Sequence, residues 1–277
     1  MDAHHLGWVL AALLGLTIGS FLNVVIHRLP RMLEAQWNAE LAAEDAPEPS
    51  SRYNIAFPGS HCPHCTHALS WKENIPVLSY LFLRGRCSQC HAPIGWRYPA
   101  VELFTSALFA WSVATHGLSF QACAWAGFAS ALVALAAIDA DTTLLPDAIT
   151  QPLVWSGLLA ANLGLSGTSL TDALWGATAG YLFLWSVYWL FKLVTGKEGM
   201  GQGDFKLLAA LGAWLGWPAL VSLVLIASVS GALVGLAMRA SQRLSEDGYI
   251  PFGPFLTLAG LWVMVFGPLP SVAYLMA

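Results

Sequence analysis

The feature that most constrains the fold of this chain is a series of long apolar runs separated by short polar turns. A helix needs about 20 mostly apolar residues to cross a bilayer. Backbone polar groups in lipid must be satisfied within the spanning element, so these runs are predicted to be helices. The sequence therefore predicts an all-α polytopic membrane protein with about eight transmembrane helices. The predicted spans are 6–26, 100–114, 120–138, 144–163, 170–194, 205–216, 218–238 and 252–269.

Composition and the N-terminal run both favour a membrane location. Only 10% of the residues are charged, against roughly 25% in soluble domains. No positive residue precedes the first run and no A-x-A site follows it, whereas Arg28 and Arg31 come directly after. This pattern predicts an uncleaved anchor with its N terminus outside, not a signal peptide. The net charge of −4 does not indicate nucleic-acid binding or an oligomeric state, and no internal repeat is detected.

The positive charges predict the orientation of the spans. Of the 12 lysines and arginines, seven lie between residues 28 and 97, three between 192 and 206, and two at Arg239 and Arg243. With eight spans, all three groups fall on the same side of the membrane. Positive charge is characteristic of the cytoplasmic side. Residues 139–147 and the loop before Asp204 are therefore predicted to share the cytoplasmic face.

The stretch KEGMGQGDFKLLA places Asp204 between a glycine-rich loop and an apolar run. The glycines do not form a phosphate-binding loop, because no strand precedes them and no G-K-[ST] ending follows. Asp204 also fits a helix N-cap, where a carboxylate accepts hydrogen bonds from free amides. The segment alone leaves the N-cap and a functional role open.

A second acidic turn, IDADTTLLPD, follows the third span. Asp147 is explained by the first turn of a helix and Asp141 by a turn apex. Asp139 instead directly follows an uninterrupted apolar run, where a carboxylate costs a few kcal/mol (about 2.5–3.5 at the bilayer centre). An acid at this depth needs a partner, and Asp204 is the predicted one. Glu102, near the cytoplasmic end of the second span, is expected to lie outside this site.

Two chemistries fit a pair of poorly hydrated carboxylates. In the first, the pair shares one proton; one aspartate activates a water while the other polarises a peptide carbonyl, as in aspartic proteases. In the second, the acids hold Mg²⁺ for phosphoryl or glycosyl transfer to a lipid carrier. Only Lys206 is placed to bind a diphosphate, so the residues favour the protease. A third reading is a non-catalytic scaffold that carries the zinc site described next.

Two C-x-x-C pairs, Cys62 with Cys65 and Cys87 with Cys90, lie in the polar segment 27–98. Their spacing predicts a structural zinc site with four thiolate ligands, the alternative being two redox thiol pairs. The neighbouring histidines are expected to be exposed, and Cys123 to be a small buried apolar residue. Three regions are therefore expected: a first transmembrane helix (1–26), a cytoplasmic insertion with the four-cysteine zinc site (27–98) and a membrane core that carries the aspartates of the favoured peptidase site (99–277).

Several of these stretches together resemble the type IV prepilin leader peptidases and N-methyltransferases. The resemblance covers nearly the whole chain. The matching stretches are GSFLNVVIHRLP, the two cysteine pairs, IDADTTLLPD, GKEGMGQGDFKLL and PFGPFL.

The resemblance implies a role for each part of the chain. Asp139 and Asp204 would be the catalytic pair, with Gly201 and Gly203 shaping the loop that carries Asp204, and the four cysteines would bind zinc. Enzymes of this family cut a short basic leader from type IV prepilins and type II secretion pseudopilins. They lie in the bacterial inner membrane, in contact with membrane lipid. After cleavage, they methylate the new N terminus from S-adenosylmethionine, and Gly85 would belong to this methyl-transfer region.

Overall fold

The computed structural model describes residues 3–41, 53–241 and 250–270. Within these ranges the chain is helical, and pairing between extended segments is limited to two isolated bridges. Arg243 lies outside the described residues. The helices are α1 (Ala3–Leu41), α2 (Leu78–Phe82), α3 (Arg97–His116), α4 (Phe120–Thr142), α5 (Asp147–Asn162), α6 (Leu170–Thr195), α7 (Gln202–Leu215), α8 (Leu220–Ala240) and α9 (Gly253–Phe266).

The all-helical membrane fold is confirmed, but the predicted number of eight crossings is not. Each of the eight predicted spans contains a helix. Among the described residues, four helical segments are long and apolar enough to cross a bilayer: Leu6–Leu41, Phe120–Thr142, Leu170–Thr195 and Trp217–Ala240. Helices α7 and α9 have 14 residues each. At 1.5 Å per residue they extend about 21 Å, less than the roughly 30 Å hydrocarbon core.

Helix α1 continues to Leu41 instead of ending near Ile26 as predicted. The apolar run stops at His27, but the residues after Pro30 are mostly good helix formers (MLEAQWNAEL). A prediction based on apolar length stops where charge begins, whereas a helix continues while its residues favour it. The boundary drawn at residue 26 therefore cuts through a continuous helix.

The first compact unit, Met1–Ser130, is built on the contact between α1 and α3. Gly15 and Gly19 lie at this contact, as expected from their spacing of four. A Cβ atom on Gly15 would lie 2.7 Å from the Cα of Ser106, and one on Gly19 would lie 2.6 Å from the Cα of Glu102. The two helices approach closely because both positions lack a side chain. The expectation for Cys123 is wrong, because its side chain is exposed on the surface of α4.

The second unit, Ala131–Ala277, has α7 at its centre. Every residue of α7 from Leu207 to Trp214 is buried, with α5, α6 and α9 packed around it. The indole Nε1 of Trp214 donates to the Leu153 carbonyl at 2.9 Å and ties α7 to α5. Since other helices cover α7, it needs no lipid-facing surface of its own. This arrangement explains why its apolar run is so short.

Candidate active site

Asp139 lies in the last turn of α4, and its side chain is 4% exposed. The helix continues through the apex predicted as a turn and ends at Thr142. Thr143 follows in a left-handed conformation (φ 55°), and its amide donates to the Asp139 carbonyl at 2.8 Å. This turn closes the helix directly after the carboxylate.

Asp204 lies in the first turn of α7 and is 3% exposed. Gly201 is the N-cap of this helix, so Asp204 is not the N-cap that the sequence left open. The Gly201 backbone also hydrogen-bonds the Asp204 carboxylate. The glycine loop thus turns the carboxylate back towards the helix start.

The structure brings Asp139 and Asp204 close enough for a charge–charge interaction. Leu145, in the turn after α4, packs between the glycines that border the two acids. A Cβ atom on Gly203 would lie 2.6 Å from the Leu145 Cβ, and one on Gly253 would lie 3.2 Å from the Leu145 Cδ1. These contacts fix the start of α7 and the start of α9 against the end of α4.

Gly253, the first residue of α9, lies directly beside Asp139. A Cβ atom at this position would lie 2.5 Å from the Asp139 Oδ2, so a side chain cannot be accommodated without moving the carboxylate. Oδ2 is buried and accepts no hydrogen bond from the described residues. Buried polar atoms are almost always paired with protein or water. The Gly253 backbone hydrogen-bonds the same carboxylate, and Oδ2 is the oxygen that keeps capacity for a further partner.

The other acids of the turn lie outside this pair. Asp141 is exposed. Asp147 begins α5, as its predicted helix-start role requires, and it also forms an ion pair that the sequence did not predict. The Lys206 Nζ donates to its two carboxylate oxygens at 2.6 and 2.7 Å. Lys206, which lies two residues after Asp204, therefore binds Asp147. It does not stand free to bind a diphosphate.

In the first unit, the insertion contains two loops with the same backbone pattern, residues 62–67 and 87–92, which are here called knuckles. The Cys62 amide donates to the His67 carbonyl at 2.9 Å, and the Cys87 amide donates to the Ala92 carbonyl at 2.9 Å. In each knuckle the residue after the second cysteine has a φ of 58°. The pattern repeats with an offset of 25 residues. An internal repeat that the sequence analysis did not detect is thus present.

The four thiols of the knuckles fit a single zinc ion. Their sulfur atoms all lie within 4.8 Å of one another. Cys62 and Cys90 approach to 3.8 Å, and Cys65 and Cys87 to 3.9 Å. A tetrahedron with Zn–S bonds of about 2.3 Å requires sulfurs about 3.8 Å apart. The amides of Cys90 and Gln89 also stabilise the Cys87 thiolate, and the pKa of this thiol is lowered to about 6.

The described part of the chain contains no other comparable metal-ligating group. Among the described residues, the four cysteines are the one group in which three or more His, Cys, Asp or Glu side chains converge. The nearby histidines do not belong to it, and His67 instead approaches Glu73 at 3.4 Å. Neither Asp139 nor Asp204 belongs to a set of three or more such converging side chains.

Gly85 lies immediately before the second knuckle in a left-handed conformation, with a φ of 66°. Its carbonyl accepts from the Ile94 amide at 2.7 Å. A Cβ atom at Gly85 would lie 3.0 Å from both the Cζ and the hydroxyl oxygen of Tyr80. Tyr80 in turn lines a cavity of about 530 Å³ in the first unit. Gly85 thus permits the close approach of an aromatic side chain that forms a cavity wall.

Comparison with known proteins identifies the chain. Residues 13–116 match the bacterial peptidase A24 N-terminal domain, and residues 126–236 match the type IV leader peptidase family. A Burkholderia pseudomallei (strain 1026b) protein named prepilin leader peptidase/N-methyltransferase is 53% identical over 262 residues, covering 93% of this chain and 84% of the relative. The chain belongs to the type IV leader peptidase family.

Other members carry the same name. The Pseudomonas aeruginosa protein is 50% identical over 281 residues, which cover 99% of this chain and 96% of the relative. The Aeromonas hydrophila protein is 51% identical over 274 residues, covering 96% and 93%. No solved structure matches the chain significantly. The leader peptidase match includes both Asp139 and Asp204, and the N-terminal match includes all four cysteines.

Sequence reasoning missed four features of this leader peptidase. It did not assign a role to Gly253, although the PFGPFL stretch contributed to the resemblance. It also missed the packing of Leu145 between Gly203 and Gly253, and the ion pair between Lys206 and Asp147. The repeated knuckles alone left a signal in the sequence, because the two C-x-x-C pairs begin 25 residues apart.

Proposed function

We propose that this protein cleaves the leader from type IV prepilins and type II secretion pseudopilins, and then N-methylates the new N-terminal residue. The observation that carries the proposal is the buried pair of carboxylates on α4 and α7, in a chain about half identical over nearly its whole length to enzymes named prepilin leader peptidase/N-methyltransferase.

Asp139 and Asp204 are the proposed catalytic residues. Two interacting carboxylates in a dry site hold one proton between them, because both cannot easily be ionised together. The ionised member removes a proton from a water molecule, which attacks the scissile carbonyl carbon. The protonated member donates to the carbonyl oxygen and stabilises the charge that develops there. When the C–N bond breaks, the proton passes to the leaving amine. The unpaired Oδ2 of Asp139 is the oxygen best placed to bind the water.

The substrate's apolar helix would enter the site from the bilayer. The acids stand at the start or end of their helices, so the scissile bond would lie at the membrane surface. The positively charged segments support a cytoplasmic location for this surface. Zinc bound by Cys62, Cys65, Cys87 and Cys90 would close the insertion on the same side, where thiols stay reduced. S-adenosylmethionine would supply the methyl group as an electrophilic carbon.

The direct test uses purified protein and a prepilin, with mass spectrometry of both products. We expect release of the short basic leader, and one added methyl group on the mature N terminus when S-adenosylmethionine is present. Cleavage should continue after magnesium is removed, because no step uses that metal. Loss of cleavage on magnesium removal would favour the lipid-carrier transferase, and an inactive protein that still supports secretion would favour the scaffold.

A matched pair of glycine substitutions tests the geometry around Asp204. Gly203→Ala should reduce cleavage roughly 10–100-fold, because its Cβ would meet the Leu145 Cβ at 2.6 Å and displace the first turn of α7. Gly201→Ala should have a much smaller effect, since its Cβ would meet only the Asp204 Oδ2 at 3.9 Å. Cleavage rates of both variants provide the measurement. Equal losses would contradict the role assigned to Leu145.

The ion pair between Lys206 and Asp147 should contribute little. Both side chains are substantially exposed, at 30% and 54%, and exposed pairs are worth about 0.2–1 kcal/mol. Asp147→Asn and Lys206→Met should therefore each reduce cleavage by less than about fivefold. A double-mutant cycle on cleavage rates measures the coupling. A loss above a hundredfold in Asp147→Asn would place Asp147 in the catalytic machinery.

A further inference from the structure

The cavity of the first unit is lined jointly by α1, α3 and the zinc insertion. Its volume of about 530 Å³ falls within the roughly 300–1,000 Å³ of small-molecule sites. Tyr80 and Ile94 of the insertion supply aromatic and apolar wall, while Glu73 and Glu102 supply carboxylates. Such a mixture of apolar wall and a few polar groups is typical of a ligand site.

The two carboxylates differ in what already binds them. Glu73 accepts from the hydroxyl and the amide of Ser70 at 2.6 and 2.8 Å, from the Ser88 hydroxyl, and lies beside His67. These hydrogen bonds, the one from the Ser70 hydroxyl foremost, lower the pKa of Glu73 to about 2. Glu73 is thus occupied in holding the two knuckles together.

Glu102 is only 8% exposed and has fewer partners. The Val77 amide donates to its Oε2 at 2.7 Å, and the Ser20 hydroxyl also binds the carboxylate. A carboxylate offers about four acceptor positions. Glu102 therefore keeps acceptor capacity although it is almost fully buried, and an unpaired negative charge in such surroundings is costly. A cationic ligand would complete its surroundings.

Val77 makes this contact from an unfavourable backbone conformation. Its φ is 59°, in the left-handed region that β-branched residues rarely adopt. Such backbone strain persists where the surrounding structure imposes it, often at binding sites. Here it directs an amide at Glu102 and holds the carboxylate at the cavity wall.

We propose that this cavity binds S-adenosylmethionine, with Glu102 facing its positive charge. The donor's flat base suits the wall formed by Tyr80 and Ile94. Its carboxylate suits Arg31 and His27, which line the same cavity with their Nη1 and Nε2 atoms 2.7 Å apart. Gly85 supports the site indirectly by allowing Tyr80 its position. The inference rests on the proposed methyl transfer and names its binding site.

Binding of S-adenosylmethionine to full-length protein in lipid nanodiscs, measured by calorimetry, tests the site. Glu102→Gln should weaken binding about tenfold or more, because it removes the charge but keeps the shape. Gly85→Ala should weaken it about tenfold by pressing on Tyr80. The matched control is Gly117→Ala, which has nearly the same φ of 67° but no neighbour within 4 Å. It should bind like the wild type. Zinc content of each variant reports whether the insertion is folded.

Photocrosslinking of the radiolabelled donor, mapped by mass spectrometry, provides a second readout. Labelled peptides from the cavity wall, together with weakened binding in the two variants, support the inference. Crosslinks elsewhere, or unchanged affinity in folded Glu102→Gln and Gly85→Ala, overturn it while leaving the methyl transfer intact. A wild-type protein that neither binds the donor nor methylates cleaved pilin would overturn the proposed methyl transfer itself, and the inference with it.

Discussion

Replacing either Asp139 or Asp204 by asparagine should lower prepilin cleavage by roughly 10³-fold or more. Asparagine keeps the size and polarity of the side chain, but it cannot accept or share the proton that activates the water. Both side chains are almost fully buried, so bulk solvent is poorly placed to act as the base in their stead. The measurement is the rate of leader release from a purified prepilin.

Asp147→Asn is the matched control, because it makes the same chemical change at the start of a neighbouring helix. Its rate should remain within about fivefold of the wild type. Wild-type cleavage by Asp139→Asn would show that the catalytic assignment is wrong. Normal pilus assembly by a cell carrying both substitutions would instead identify the protein as a non-catalytic scaffold.

The Asp204→Asn variant also separates leader cleavage from N-methylation. Asp204→Asn should neither cleave nor methylate a full prepilin, because methylation requires the amine that cleavage releases. It should still methylate a pilin supplied already cleaved, since the thiolates and the proposed donor cavity belong to the first unit. Failure on the cleaved pilin by a folded Asp204→Asn protein would contradict the independence of the two sites.

Removal of one zinc thiolate should release the metal and loosen the insertion. We expect one zinc per chain in the wild type and little or none in Cys62→Ser. In small zinc peptides the binding free energy is about 10–16 kcal/mol and is at the same time folding free energy. The two short helices between the knuckles, Trp71–Asn74 and Leu78–Phe82, contain no buried residue. Without the metal, they would therefore do little to hold the insertion together. Metal analysis and protease sensitivity of the insertion provide the measurements.

Cys123→Ser is the control for this substitution. Cys123 is exposed and lies outside the thiol cluster, so its removal should leave the zinc content unchanged. A wild-type protein without zinc, in which all four clustered thiols react freely with an alkylating agent, would rule out the metal site. We also expect methylation to fall with the zinc content, because the insertion forms one wall of the proposed donor cavity.

The features that the sequence revealed are those with a strong local signal. Asp139 could be found because a carboxylate at the end of an apolar run has an energetic cost that demands an explanation. The four cysteines could be found because metal ligands recur at fixed spacing. The helices could be located from apolar length, and helical segments are present at all eight predicted positions.

The remainder depends on contacts between distant residues. Gly253 and Asp139 are over a hundred residues apart in the chain, and no local pattern relates them. The ion pair of Lys206 with Asp147 is equally non-local. The predicted number of crossings is not confirmed, for a related reason. Apolar length does not distinguish a helix that faces lipid from one such as α7, which is buried by its neighbours.

The pairing of thiols across the two knuckles has a physiological consequence. Each knuckle supplies only half of the coordination shell, so neither has a stable closed form of its own. We therefore expect the insertion to order in a single step that depends on the supply of zinc, while the carboxylate pair lies in a unit that contains none of the clustered thiols. In a bacterium starved of zinc, we expect leaders to be removed while the exported subunits leave the membrane without their methyl group.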